Sequence, residues 1–279
     1  MAVTTHIRYF SRDAKFESEK PYTTTFPVDH IPGAEVTNHA WVSKRTRIQN
    51  LRVLAKPDLD TEGFTYLTMP TRLSYQDFMS ASTVRTKYFE EIKNAVLRQY
   101  PRYNYIVLFD YEIRKRSPVY PDAVGTTVAN AQPYERAHVD FTPYGAAIKI
   151  RGSLSDRPEL ANELLQKDYD VLNVWRLLRT TTPDWPLAFC DYQSINAQDP
   201  IKNDVVYTNG YGENCFLRHS LGHRWFYLQD QCMDEVWLWR NADANDFRPR
   251  AFHGSFRNPI ADANSPLRES IEVRFAAFY

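Results

Sequence analysis

The sequence predicts a mainly β protein with flanking helices, built as an antiparallel barrel or jelly roll. Short β-prone runs recur at Val171–Trp175, Leu187–Cys190, Trp225–Leu228, Glu235–Trp239, Arg250–His253 and Ser270–Phe275, separated by Pro, Asp, Asn and Gly. Helical periodicity is confined to a few earlier stretches, so strands and helices do not alternate as βα units would. At 279 residues the chain can bury one substantial core, and one domain over 1–279 is the favoured organisation.

Residues 1–61 lack long periodic runs and carry Pro21, Pro27, Pro32 and Pro57, which predicts strands and extended chain wrapping the main body, at a pocket or a subunit contact. Phe64–Leu67 reads as a short strand. Ser80–Gln99 reads as a helix: Tyr88, Phe89, Ile92, Val96 and Leu97 recur at helical spacing, while Arg85, Lys87, Glu90, Glu91 and Lys93 fill the remaining surface. Pro101 ends it. Tyr105–Phe109 is a compact apolar run of the kind that forms a buried strand, and it opens the catalytic β core expected over about 105–279. Thr142-Pro143 starts a short helix through Lys149, because proline fits the first turn, and a second helix covers Arg157–Leu165.

Composition narrows the function. Thirty-four basic and 34 acidic residues leave a formal charge of +0, so no global field draws nucleic acid or an anionic membrane. Eighteen Tyr, 16 Phe and six Trp suit core packing and also a pocket for a bulky apolar small molecule. Cys190, Cys215 and Cys232 have no CxxC spacing and cannot all pair within the chain, which fits a reducing compartment. The first 25 residues lack the apolar run of a signal peptide, and no stretch is long and apolar enough for a membrane span. The expectation is a soluble intracellular protein, in the cytoplasm.

The chemistry concentrates at His138-Val139-Asp140. Imidazole and carboxylate two residues apart on a strand point to one side and can share a metal while Val139 packs behind. Any chain can contain such a triplet, and a pair at the edge of the core is its bland reading. A distal histidine would complete the two-His, one-carboxylate facial triad of non-haem Fe(II) oxygenases, leaving coordination positions for a 2-oxo acid and O2. His253 is the favoured third ligand, because it precedes the Arg-rich terminal strand and a hairpin would bring the two together. His223 is the alternative ligand, with packing beside aromatics as its structural reading; His219, His6, His30 and His39 lack a ligand pattern. Arg268 and Arg274 lie six residues apart and would share a strand face. A guanidinium grips a carboxylate through two hydrogen bonds, so Arg268 is the expected anchor for the remote carboxylate of 2-oxoglutarate and Arg274 a supporting cation. Ordinary pairing with Glu269 or Glu272 is the competing use of both.

These pieces, with Asn173-Val174-Trp175-Arg176, Asp184-Trp185-Pro186-Leu187-Ala188, His223-Arg224-Trp225-Phe226-Tyr227, Asp234-Glu235-Val236-Trp237-Leu238 and Arg268-Glu269-Ser270-Ile271-Glu272-Val273-Arg274, occur in an order that resembles the fungal hydroxylase/desaturase family of Fe(II)/2-oxoglutarate oxygenases. The resemblance spans Tyr105–Tyr279 and implies a double-stranded β-helix, a cupin-like jelly roll. It implies His138, Asp140 and His253 at the metal, Arg268 at the co-substrate, and Asn173 and Arg176 in a patch that shapes the cofactor pocket. The implied activity is Fe(II)- and 2-oxoglutarate-dependent oxidation of a bulky fungal meroterpenoid, with endoperoxide formation as one outcome and hydroxylation or desaturation of another terpenoid as the alternative. A homodimer is implied as well. Two departures bear on specificity: Trp175-Arg176-Leu177 replaces Trp-Arg-Pro, and His253-Gly254-Ser255-Phe256 replaces His-Thr-Ala-Phe. A non-catalytic cupin-like binding module is the competing reading from another class; substrate-stimulated succinate formation separates the two.

Overall fold

The computed structural model describes residues 1–121, 130–179, 181 and 183–279. The strands are β1 (Val3–Phe10), β2 (Tyr22–Thr24), β3 (Trp41–Asn50), β4 (Phe64–Thr68), β5 (Tyr105–Lys115), β6 (His138–Val139), β7 (Tyr169–Leu177), β8 (Leu187–Cys190), β9 (Pro200–Tyr207), β10 (Gly210–Leu217), β11 (Trp225–Tyr227), β12 (Glu235–Asp243), β13 (His253–Ser255) and β14 (Glu269–Phe278). They form a larger sheet in the order β1-β3-β11-β8-β13-β6-β10-β9-β2 and a smaller one in the order β4-β12-β7-β14-β5. Most pairings are antiparallel, and the sheets curl over flanking short helices as a jelly roll.

Side-chain alternation explains the layers. On β7, Trp175 and Leu177 turn inward against Leu187, Phe189, Trp237 and Trp239, forming the core between the sheets. Leu172 and Val174 turn outward beneath the helix α3 (Phe89–Gln99), against Phe89, Ile92 and Val96. The strand is therefore buried along both faces. On the far side of the larger sheet, Ala137 and Val139 join Ile7, Cys215 and Trp225 in a separate core.

One ion cluster ties the chain together. Arg240 is fully buried; its guanidinium lies 2.9 Å from Asp170 Oδ1, 2.7 Å from Asp60 Oδ1, and donates to the carbonyls of Leu59 and Pro249 at 2.9 and 2.8 Å. Tyr103 donates its hydroxyl to Asp170 from the loop before β5. A buried cation needs this many partners, because an unmatched charge away from water is expensive.

The expected Ser80–Gln99 helix is interrupted. After the short α1 (Tyr75–Phe78) and α2 (Ala81–Thr83), a π-helical turn over Val84–Tyr88 leads into α3, and Tyr100 closes it just ahead of Pro101. Val84 and Tyr88, at the two ends of this turn, are both buried. The helices expected after Asp140 form as α4 (Pro143–Ser153) and α5 (Pro158–Leu164). The β9–β10 hairpin has no clear sequence signal, since Lys202, Asn203 and Asp204 interrupt its apolar pattern. The expected hairpin between the His253 strand and the terminal strand does not form: β13 pairs with β6 and β8, whereas β14 pairs with β5 and β7 in the opposing sheet.

Helix α4 begins immediately after Asp140. Thr142 caps it by accepting from Gly145 N at 3.1 Å and donates its hydroxyl to Glu213 Oε1 at 2.6 Å, and Pro143 fits the first turn. Gly145 meets β10 so closely that a Cβ there would lie 2.0 Å from the Glu213 carbonyl oxygen. Gly145→Ala therefore forces the helix off the strand and lowers stability by about 1–3 kcal/mol, read as an earlier denaturant midpoint; an unchanged midpoint refutes this close-approach account.

Candidate metal centre

Register brings the distal histidine to its partner. His253 on β13 lies directly opposite His138 on β6, with ring centroids 4.3 Å apart. Asp140 follows just beyond β6, and His138 Nε2 lies 3.3 Å from its Oδ1. One nitrogen from each ring and one carboxylate oxygen all lie within 4.8 Å of one another, the only three-residue cluster of metal-ligating type among the described residues.

The hydrogen bonds fix which nitrogens are free. His138 Nδ1 lies 2.8 Å from the Arg136 carbonyl oxygen and 3.0 Å from that of His253, and His253 Nδ1 lies 3.2 Å from the Ala251 carbonyl oxygen. Carbonyls only accept, so each Nδ1 carries the proton and each Nε2 presents its lone pair inward. Burial, reinforced by His138, pushes His253 down to about 3, which keeps its imidazole neutral and able to ligate. Burial opposes ionisation of Asp140 as well, but the adjacent His138, with Arg274 and His253, holds it well below the usual carboxylate range. Two imidazoles and one carboxylate, grouped on one side, fit Fe(II) with open positions opposite.

Asn173 orients the carboxylate. Its Nδ2 donates to Asp140 Oδ2 at 2.7 Å and to Glu272 Oε1 at 3.1 Å. Asn241 donates to Asn173 Oδ1 at 2.9 Å, and its own Oδ1 accepts from the Asp140 backbone N at 3.0 Å, closing the network. Burial, then the Asp140 charge, pushes Glu272 up to about 7.

Arg268 is a buried cation without an anion. Its Nη1 donates to the Trp185 carbonyl at 2.8 Å and its guanidinium stands 5.6 Å from the Trp175 ring centre. Nε is buried with no hydrogen-bond partner, as are the hydroxyls of Ser255 and Ser270, and no carboxylate comes within 4.0 Å of the guanidinium among the described residues. Burial, followed by the nearby charge of Arg114, pushes its pKa down to about 9. Such an arrangement suits an incoming carboxylate, which would supply the missing charge and acceptors.

The other sequence candidates separate. Arg274 shares the inward face, opposite Asn173, but its Nε donates to Asp110 Oδ1 at 2.6 Å and its field falls on Asp140 and Glu272. Arg176 does not reach the cofactor pocket: three residues from Asn173 on one strand, it projects through the opposite face. There it donates to Tyr88 Oη at 3.0 Å and to the carbonyls of Met233 and Met69. The alternative ligand His223 lies outside the triad, with Nε2 3.1 Å from buried Asp199 and its ring stacked on Tyr9. Glu272 and Asn241 join the site without having stood out in the sequence. Glu272 was recoverable, since even spacing puts it on the same strand face as Arg268 and Arg274, four residues after the one and two before the other; Asn241 had only its polarity within an apolar strand as a signal.

Fold and centre together define an iron-dependent oxygenase of jelly-roll architecture. A family model described as an oxidoreductase/YMDC permease-like domain matches residues 7–278, although no helix among the described residues is long and apolar enough to cross a membrane. The chain is 30% identical over 255 residues to the Fe(II)/2-oxoglutarate-dependent dioxygenase nvfI of Aspergillus novofumigatus, covering 88% of this chain and 87% of that protein. It belongs to the Fe(II)/2-oxoglutarate-dependent dioxygenases. The hydroxylase/desaturase efuI of Hormonema carpetanum is 25% identical over 241 residues, 79% of this chain and 78% of its own length. The solved structure of the iron and alpha-ketoglutarate-dependent endoperoxidase NvfI superposes with a TM-score of 0.83 at 26% identity, covering 99% of this chain and 98% of that one.

Asn173→Ala removes the clamp on Asp140 and should weaken Fe(II) affinity by roughly 10–100-fold, measured by anaerobic metal titration. Arg176→Met serves as the contrast: it should lower thermal stability while leaving that titration unchanged, and an equal loss of metal affinity would contradict its placement.

Proposed function

We propose that this protein uses Fe(II), 2-oxoglutarate and O2 to oxidise a bulky apolar fungal meroterpenoid, forming an endoperoxide. The observation that carries the reading is the grouping of His138, Asp140 and His253, together with Arg268, buried just before β14 of the opposing sheet and without a carboxylate partner among the described residues. His138 Nε2, His253 Nε2 and an Asp140 oxygen would hold the metal, and Arg268 would grip the remote carboxylate of 2-oxoglutarate, with Arg274 fixing the acidic end of the site. Together the bound metal, co-substrate and O2 supply an oxidant able to take hydrogen from an unactivated carbon, with succinate and CO2 as the co-products.

The protein's own contribution is placement and exclusion of water. Trp239 and Phe189 pack against the His253 ring, at 4.6 and 5.8 Å between centroids, and Trp175 stands beside Arg268, so these groups work beside apolar surroundings where fixed dipoles act strongly. Asn173 and Asn241 hold the carboxylate, and the backbone carbonyls keep each imidazole in its metal-ready tautomer. Endoperoxide formation draws support from the whole-length likeness to NvfI; hydroxylation or desaturation is the second reading, favoured by the likeness to efuI. We take residues 1–279 as one oxygenase domain that works as a cytoplasmic homodimer; Cys190, Cys215 and Cys232 are free thiols, as a reducing compartment favours.

Anaerobic reconstitution with Fe(II) and 2-oxoglutarate, followed by labelled O2 and candidate meroterpenoids, tests the reading by product mass. Both atoms of one O2 in the product mark endoperoxide formation, a single labelled atom marks hydroxylation, and loss of two hydrogens marks desaturation; no succinate under any condition rejects the oxygenase. Arg268→Met should raise the KM for 2-oxoglutarate roughly a hundredfold with Fe(II) affinity nearly intact, and equal weakening of both would remove Arg268 from the anchor role.

A further inference from the structure

The chain that leads into β6 brings a second functional group beside His138, Arg136 being held there by an isolated bridge to Arg8. Ala137 and Val139 are buried in the core behind the larger sheet, so alternation turns Arg136 and His138 together toward the opposite face. Tyr134 connects them: its ring meets His138 edge-on at 4.6 Å, while the Arg136 guanidinium stands 5.5 Å from the same ring centre and 4.6 Å from that of Trp41. Two residues of extended chain separate the Arg136 and His138 Cα atoms by about 7 Å, within reach of one polycyclic molecule.

Arg136 has no carboxylate partner within 4.0 Å among the described residues; neighbouring Glu135 faces Arg8 instead, at 3.9 Å. Among the described residues its one side-chain hydrogen bond is a long 3.5 Å contact to Tyr134 Oη. Trp41, Tyr134 and Arg136 are all half-buried, so aromatic faces and guanidinium N–H groups remain available. Behind them Phe216 packs on Trp41 at 4.7 Å and His39 is held by Asn203 at 2.5 Å, which makes the wall rigid. An apolar surface carrying one directed cation selects a molecule with an apolar body and one strongly accepting oxygen.

We infer that Arg136, framed by Trp41 and Tyr134, is a specificity-determining residue that binds a carbonyl-type oxygen, of a carboxylate or an ester, on a polycyclic apolar substrate lying beside His138. The inference rests on the oxygenase reading above and names the substrate chemistry of that site. Trp41 comes from the N-terminal segment, so recognition joins a part of the chain that carries no metal ligand to the segment that carries two.

The test uses the anaerobic Fe(II)–2-oxoglutarate holoenzyme and three matched tricyclic probes: abietic acid, its methyl ester, and the hydrocarbon abietadiene. Tryptophan quenching measures probe binding, and the iron–2-oxoglutarate absorption band reports independently on the metal centre. The wild type should bind the acid or the ester at least tenfold more tightly than the hydrocarbon, and whichever of the two binds better identifies the oxygen source. R136M should abolish that preference while leaving hydrocarbon affinity and the absorption band unchanged. Preference retained in R136M, or no preference in the wild type, overturns the role of Arg136. Absence of the band in the wild type instead rejects the oxygenase reading itself. Should R136M fold poorly, R136Q retains hydrogen bonding without charge, and its loss of preference for the acid with partial retention for the ester supports the same assignment.

Discussion

Everything at the centre depends on the register that sets His253 opposite His138 in neighbouring strands. A shift of one residue in either strand would turn one imidazole into the core behind the sheet, where Ala137 and Val139 now pack. The apolar partners on that far face make such a slip costly, so hydrophobic packing on one side of the sheet protects ligand geometry on the other. The imidazole tautomers follow from the same backbone, because the carbonyls that hold each Nδ1 belong to residues 136, 251 and 253 of these two segments.

The interior around the triad is rich in polar groups for a site packed beside buried tryptophans. Asp140, Asn173, Asn241 and Glu272 form a continuous hydrogen-bonded network, with Arg274 acting on its two carboxylates through its charge. Arg268 stands apart from that network. A cation desolvated this far without an anion is destabilising in the free protein, and it gains most when a carboxylate arrives.

Alternation along strands makes much of this legible in the sequence. Even-numbered spacing alone joins His138 to Asp140 and Arg268 to Arg274, and the same rule, applied to the three-residue interval between Asn173 and Arg176, sends Arg176 to the other face. The motif resemblance groups those two residues where strand geometry separates them. Choosing His253 over His223 lies beyond periodicity, since the choice depends on which sheet each strand enters; the hairpin with the terminal strand that favours His253 on sequence grounds is absent, even though the residue sits in the cluster. The β9–β10 hairpin stays hidden because its inward positions at Asn203 and Asn214 bond to each other at 2.8 Å instead of supplying an apolar stripe. Asn241 is equally silent, its meaning residing in a partner 68 positions away.

In the proposed anchoring of 2-oxoglutarate, the two ends of the acid meet different sheets, the histidines in the larger one and Arg268 just before β14 of the smaller one. The thickness of the sandwich thus acts as a ruler for the dicarboxylate. Layers packed around bulky indoles cannot easily draw closer, so on that reading the packing between the sheets sets which acids can span the metal and the guanidinium. Selection of chain length then resides in the spacers, Trp175 and Trp237 among them, and thinning those rings would recalibrate it without altering a single group that touches the acid.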